Sequence, residues 1–137
     1  MNPQSILTSG FVAGIIISIS GISMVPVVGN QMDQALANRG LSPLSPAAMV
    51  FFGMVSLALG VSVVGIYAVA KAQLGSGLKT AITAAVIVWF LAYFLSNTAL
   101  LAYGFLPAKL VVIGIVWGFF ELLLGSIVGS KLYRDAK

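Results

Sequence analysis

Four apolar stretches, each 21 to 24 residues long, divide the sequence and constrain its fold more than any other feature. They cover residues 6–28, 47–70, 80–103 and 110–130. About 20 residues of α-helix, at a rise of 1.5 Å per residue, cross a hydrocarbon core that is roughly 30 Å thick. Lipid offers the backbone no hydrogen-bond partner, so a span is a helix or a barrel strand, and these stretches lack the alternating polarity of barrel strands. The sequence therefore predicts an all-α, polytopic membrane protein with four spans.

The amino-acid composition agrees with a membrane location and removes several classes of chemistry. Of the 137 residues, 60% are hydrophobic and only 7% are charged, whereas soluble domains carry roughly 25% charged residues. The sequence contains no His and no Cys. It therefore lacks the ligands of His- or thiolate-bound haem, Fe–S clusters and the usual zinc sites, and it lacks a Cys nucleophile and a Ser-His-Asp triad. We expect no catalytic, metal-binding or cofactor-binding residues.

The connections between the stretches predict how the spans are arranged. Residues 71–79 and 104–109 are short polar segments, and short connections make neighbouring helices antiparallel. Gly75 and Gly77 are typical of the end of a helix and the turn that follows it. The whole chain, residues 1–137, is therefore predicted to form one domain, an antiparallel four-helix transmembrane bundle.

The distribution of Lys and Arg predicts the orientation of the bundle. Five basic residues fall on the side that holds both termini: Lys71, Lys79, Lys131, Arg134 and Lys137. Only Arg39 and Lys109 fall on the other side. Because cytoplasmic loops carry the excess of Lys and Arg, both termini are predicted to be cytoplasmic in a multi-pass membrane protein. No basic residue precedes the first stretch, so we expect an uncleaved first helix.

The long connection at residues 29–46 has a pattern of its own. Asn30 is a suitable N-cap, Asp33 falls in the first turn that would follow it, and Gly40 can end such a helix. We therefore predict a short helix at residues 30–38 in this first extracytoplasmic loop, lying on the outer membrane surface. The alternative is an ordered loop that packs over the bundle.

Glu121 is the one ionisable residue inside a predicted span, close to the middle of the fourth. A charged side chain at that depth costs about 2.5 to 3.5 kcal/mol on insertion scales, so Glu121 should face protein or water and be paired or protonated. Four glycines share its helix face: Gly114, Gly118, Gly125 and Gly129. Small residues at this spacing allow close helix approach, so the pattern predicts that Glu121 faces a helix–helix contact.

Candidate partners of Glu121 follow from depth in the membrane. Ser18 and Ser20 of the first span and Tyr93 of the third lie closest to its level, and Trp117 precedes it by one turn on the same helix. The indole N–H of Trp117 is a donor and is therefore a candidate partner for the carboxylate. Three roles remain open for Glu121: a structural acid that sets helix register, a proton-coupled or cation-binding site, and a contact to another subunit.

A second polar cluster, Ser96, Asn97 and Thr98, lies toward the outer end of the third span. Polar residues near an interface satisfy backbone groups or water more often than they line a pocket, so we expect that role for Asn97, with a small polar pocket as the alternative. The deeper aromatic side chains are suited to packing or lipid contact, and contact with a carotenoid or quinone is also open.

Two segments of the sequence resemble a family of small, uncharacterised bacterial four-span integral membrane proteins. They are residues 84–93, AAVIVWFLAY, and residues 107–134, which contain LVVIGIVWGFFELLLGSIVGSKLYR. The resemblance implies a four-span architecture with a long first loop and a location in a bacterial inner membrane, and it implies no activity. Members of the family tend to carry an acid in the first span as well. This sequence has Gly21, Ile22 and Ser23 there, so a site of two acids is not expected.

These observations favour a non-catalytic accessory or scaffold subunit that packs against a larger respiratory or photosynthetic membrane complex through Gly-rich helix faces. The alternative is a small proton- or cation-coupled transporter that uses Glu121, alone or as a homodimer. A lone acid without a base, nucleophile or metal set argues against an enzyme. The expected partners are the lipid bilayer and other membrane subunits or a second copy. No nucleic acid is expected, because the net charge of +4 is spread over loops and tail.

Overall fold

The helices of the protein follow the apolar stretches of its sequence. In the computed structural model, which describes residues 1–136, five helices hold 83% of the residues and no strand is formed in that range. They are α1 (Pro3–Ser23), α2 (Val25–Ala37), α3 (Pro46–Leu74), α4 (Leu78–Ala102) and α5 (Ala108–Leu132). All but α2 are long and apolar enough to cross a membrane. Lys137, one of the basic residues used to predict the orientation, lies outside the described residues.

Local capping sets the ends of the long helices. The Asn2 side chain accepts a hydrogen bond from the Ser5 amide at 3.2 Å, and the Ser45 side chain accepts one from the Ala48 amide at the same distance. Each cap precedes a proline in the first helical turn, where the missing N–H costs nothing. Gly75 ends α3 with a φ of 78°, a conformation that glycine adopts without a steric penalty.

The first apolar stretch divides between two helices. The sequence predicted a span over residues 6–28, but α1 ends at Ser23 and α2 begins at Val25. Pro26 lies in the first turn of α2. Proline supplies no backbone N–H for the carbonyl four residues earlier, that of Ile22, and its ring clashes with that carbonyl, which explains the break at Met24. α2 then continues through residues 30–37 and ends one residue before the predicted end of the loop helix.

Glycines bring α1 and α3 into close contact. A Cβ atom added at Gly60 of α3 would overlap the backbone of Gly10 and Gly14 of α1. Gly10 faces Val61, and Gly14 faces Leu57. The later residue of α1 therefore meets the earlier residue of α3. In the first span, Gly10, Gly14 and Ser18 recur every four residues, a spacing that predicts a face for close contact with another helix. In the structure, the closest approach of two backbones is made by glycines of the first and second spans.

The core lies where α1, α3, α4 and α5 meet. Its fully buried side chains are small or branched: Ala13, Ile17, Val63, Val64, Ala84, Ala85 and Leu122. Tyr67 and Tyr133 pack edge to face beside them, with ring centroids 6.1 Å apart. Small side chains permit short distances between helix axes, and dispersion contacts then replace the hydrophobic driving force that lipid does not supply.

Both ends of the described chain meet at one end of the bundle. The Asn2 amide donates to the Tyr133 hydroxyl at 3.2 Å. At the same end, the Lys71 ammonium pairs with the Asp135 carboxylate. A hydrogen bond from Lys71 has the largest effect on the pKa of the Asp135 carboxyl group, and one from Tyr133 has the next largest. Both hold this pKa below its usual range. α2 and residues 104–109 lie at the opposite end of the bundle. The Lys71–Asp135 ion pair is therefore at one end, and α2 is at the other.

We expect Gly60→Leu to destabilise the bundle, because a leucine side chain there must displace the α1 backbone. Overpacking of this kind costs about 1 to 3 kcal/mol. The matched control is Gly53→Leu on the same helix, where an added Cβ meets nothing within 4 Å. Thermal unfolding in detergent should show a clearly lower Tm for Gly60→Leu and an unchanged or slightly higher one for Gly53→Leu. Equal Tm values for the two variants would contradict the close contact of α1 and α3.

Candidate functional site

Glu121 lies near the middle of α5 and is 5% exposed. It is the only acidic residue in the four long helices. Inside a hydrocarbon core such a side chain has no water to accept from or donate to, so its oxygens depend on other protein groups. The arrangement around Glu121 is therefore the candidate functional site of this chain.

Tyr93 of α4 is the direct partner of Glu121. Its hydroxyl donates a hydrogen bond to Oε1 of the Glu121 carboxyl group. The Tyr93 ring lies flat against α5 at Gly118, where a Cβ atom would overlap the ring carbons. Gly118 thus makes room for the ring that delivers the hydroxyl, and the hydrogen bond joins the third span to the fourth.

A π-helical turn in α4 holds Tyr93 in position. The turn comprises Phe90–Phe94 and widens the helix by one residue per turn. Just before it, the Trp89 indole N–H donates to the Ile115 carbonyl oxygen at 2.8 Å. After it, the Asn97 side-chain amide donates to the Tyr93 carbonyl oxygen at 2.9 Å. Side chains on both sides of the turn therefore satisfy backbone groups and anchor it, and π-helical turns are frequent at functional sites.

The other carboxyl oxygen of Glu121 faces α1. Oε2 lies 3.9 Å from the position of a Cβ atom built on Gly21, and Gly21 is exposed on the outside of the bundle. Ser18, which depth alone placed beside Glu121, lies nearly one helical turn earlier on α1 and is half-buried.

Trp117 is hydrogen-bonded to α1, and the partner of Glu121 is Tyr93. Its indole N–H donates to the Ser20 carbonyl oxygen at 3.3 Å. Ser20 is the fourth residue from the end of α1, so its carbonyl oxygen has no backbone donor within the helix, and it also accepts a hydrogen bond from the Ser23 hydroxyl at 2.6 Å. The sequence analysis ran the first span through Val28, which gave Ser20 a backbone partner and hid this acceptor.

The four glycines around Glu121 face different helices. Gly114 and Gly118 face α4, Gly125 faces α1, and Gly129 faces α1 and α3. Built Cβ atoms at these positions would lie within 3.3 Å of the neighbouring helix. All four are therefore used inside the bundle, and the face is shared among several contacts.

Asn97 and Thr98 satisfy backbone groups of their own helix. The Thr98 hydroxyl donates to the Phe94 carbonyl oxygen at 2.8 Å, beside the Asn97 bond to Tyr93. Asn97 also lies against α5, with its Oδ1 3.3 Å from a Cβ built on Gly114. Hydrogen bonds to the helix backbone are the role that the sequence analysis favoured for this cluster.

Sequence reasoning missed a buried polar contact between α4 and α5. The Ser126 hydroxyl donates to the Ala81 carbonyl oxygen at 2.7 Å, and Ser126 is fully buried. It also missed Gly60, Gly21 and the role of Trp89. A small or polar residue within an apolar span was the available signal in most of these cases, but hydropathy alone does not say which helix it faces.

The site combines a carboxyl group with a phenol. Two such groups can hold and exchange a proton, and their oxygens are hard ligands for a cation. Two side chains supply fewer than the six oxygens that a complete shell around Ca²⁺ or Mg²⁺ requires. Glu121 and Tyr93 do not line the two clefts found beside α2 at one end of the bundle.

Comparisons with known proteins give no match: no family model, curated protein or solved structure is significantly similar to this chain. The function is therefore argued from the geometry of the chain itself. The relevant features are the Glu121 site, the exposed apolar surface and the distribution of charge between the two ends.

The Tyr93–Glu121 hydrogen bond should appear as a non-additive pair in a double-mutant cycle. Tyr93→Phe and Glu121→Leu each leave one buried polar group without its partner, whereas the double variant removes both groups. We expect a coupling of about 0.5 to 2 kcal/mol in the free energy of unfolding, measured in mixed detergent micelles.

The matched control for this cycle is Tyr103→Phe, because Tyr103 is 80% exposed at the end of α4. That variant should leave the stability unchanged. Strictly additive effects of Tyr93→Phe and Glu121→Leu would contradict an energetically significant hydrogen bond between the two side chains.

Proposed function

We propose that this chain is a non-catalytic, multi-pass membrane protein that packs as a subunit against a larger membrane assembly. One observation carries the proposal: the first turns of α3 are apolar and uncovered on every side. Met49, Val50, Phe51, Phe52 and Met54 are each 56 to 66% exposed. Successive helical residues point about 100° apart, so exposure of four in a row means that no helix of this chain packs there.

The residue types of this segment support contact with protein. Phe and Met are enriched at protein interfaces, and Met adapts its shape to irregular partners. We call residues 49–54 the α3 segment. The glycines that the sequence analysis assigned to a partner are already occupied by contacts within the bundle. The proposed contact therefore moves from the Gly-rich faces to the α3 segment, with lipid around the remaining apolar surface.

The proposal includes the orientation of an antiparallel four-span bundle. Lys71, Lys131 and Arg134 belong to the end where the described chain begins and finishes, while Arg39 and Lys109 belong to the other end. By the positive-inside rule, the first end faces the cytoplasm of a bacterial inner membrane. A respiratory or photosynthetic complex is the proposed type of host.

The absence of cysteine from the sequence allows a direct test of this orientation. Ser42→Cys places a thiol in the connection between α2 and α3, and Ser76→Cys places one in the turn between α3 and α4. Both positions are exposed. A membrane-impermeant maleimide should label Ser42→Cys in intact cells and Ser76→Cys only after permeabilisation. The reverse pattern would place the termini outside.

Mild-detergent purification tests the subunit proposal. The wild-type chain should migrate with a complex much larger than 14.2 kDa, and Phe51→Ala/Phe52→Ala should be released from it. The matched control is Phe11→Ala/Phe120→Ala, which removes two aromatic rings with exposures of 52% and 53% elsewhere on the bundle. Both variants should keep the wild-type Tm. A chain that migrates alone, or equal release of the two variants, would contradict the proposal.

A proton- or cation-coupled carrier is the second candidate. The observation in its favour is the Glu121–Tyr93 pair, whose second carboxyl oxygen lies beneath the exposed Gly21. A carrier would be recovered alone or as a homodimer, and proton-coupled flux in proteoliposomes would require Glu121. The same purification therefore separates this candidate from the first.

A further inference from the structure

Two neighbouring clefts lie at the end of the bundle opposite the chain termini. Their volumes are about 220 and 250 Å³. Both are lined by Ala35 and Asn38 of α2 and by Pro107, so they form one depression between α2 and the segment that leads into α5. We call this depression the α2–α5 cleft. At roughly 30 Å³ per water molecule, each part has the volume of about seven or eight waters, which is enough for a phosphate group and its substituents.

The chemistry of the cleft is basic and rich in amides. Lys109 lines one part and Arg39 the other, and the amide-bearing residues Gln31, Gln34 and Asn38 are among the remaining lining residues. No acidic residue is among the lining residues. The remaining charged group of this region, Asp33, is on α2 but does not line the cleft. Guanidinium, ammonium and amide N–H groups are the usual ligands of a phosphate.

Contacts within the chain hold the Arg39 side chain in place. Its Nη2 donates to the Gly104 carbonyl oxygen, and its guanidinium carbon lies 5.1 Å from the centroid of the Phe105 ring. An arginine ordered in this way loses little conformational freedom when it binds an anion. Gly104 has a φ of 66°, so the turn that presents the carbonyl relies on a conformation that glycine favours.

The position of the cleft indicates the source of the phosphate. The cleft lies at the ends of the long helices α4 and α5, where the apolar spans give way to polar connections. Tyr103 and Phe105 flank this level, as aromatic side chains do at membrane–water interfaces. Phospholipid headgroups occupy the same depth, and each basic residue close to an anionic surface strengthens the attraction.

We propose that the α2–α5 cleft binds an anionic phosphate group between Arg39 and Lys109, supplied by the headgroup of a membrane phospholipid. This inference is independent of the proposed subunit role. It also assigns a function to α2: Gln31 and Gln34 of this helix, with Asn38 just after its end, line the same cleft as Lys109 and Arg39.

Lipid titration of the full chain tests the site. Phosphatidylglycerol or phosphatidylcholine is added to the protein in detergent, and bound lipid is counted by native mass spectrometry. Wild type should prefer phosphatidylglycerol, and Arg39→Gln/Lys109→Gln should bind it about tenfold more weakly. The matched control is Lys79→Gln/Lys131→Gln, which removes the same charge at the other end of the bundle and should bind as wild type does.

Two further measurements complete the design. Lys109→Gln alone should weaken lipid binding and keep the wild-type Tm. This single variant therefore separates a loss of binding from a folding defect in the double variant. Inorganic phosphate is tested as a competitor: displacement of the lipid by phosphate that depends on Arg39 and Lys109 supports the site with free phosphate as its source. Equal binding of both lipids by wild type, or equal loss in both double variants, would overturn the proposal.

Discussion

The hydrogen bond from Tyr93 to Glu121 imposes the strictest requirement on this bundle. A carboxyl group in the middle of a span has no water, so another helix must bring a polar group to the same depth and the same side. Gly118 meets that requirement by leaving room for the Tyr93 ring, and the π-helical turn at Phe90–Phe94 holds Tyr93 on the correct face. This contact, together with the hydrogen bonds of Trp89 and Ser126, fixes the register of α4 against α5.

α5 is the helix through which most polar contacts between spans run. Trp89 and Ser126 join it to α4, and Trp117 joins it to the end of α1. The contact of α1 with α3 is made instead where Gly10 and Gly14 approach Gly60, Val61 and Leu57. In lipid, apolar side chains gain little by leaving the bilayer, so hydrogen bonds between helices and close backbone approach decide which helices are neighbours. Polar groups and glycines that make these contacts between helices are not available to another protein.

The functional proposals follow from what the bundle leaves unused. The α3 segment, residues 49–54, has no neighbour in the chain and offers Phe and Met side chains outward. At the end opposite the termini, Arg39 and Lys109 face amide side chains across the α2–α5 cleft without an acid among them. The Glu121 carboxyl group, in contrast, is engaged by Tyr93 and covered by Gly21. The first two regions are the proposed contacts with protein and with lipid headgroups, and the third is a polar contact inside the bundle.

The sequence alone determined that four helices are long and apolar enough to span a membrane, and it singled out Glu121, with Tyr93 as one of several candidate partners, because length, hydropathy and depth are properties of the chain in one dimension. Only the tertiary structure decided the rest. Trp117 binds Ser20 because α1 stops at Ser23, ahead of Pro26, and frees a carbonyl. Position along a helix can be read from spacing. Which neighbour a face meets depends on how the helices rotate and cross, and that is set by contacts among all of them at once.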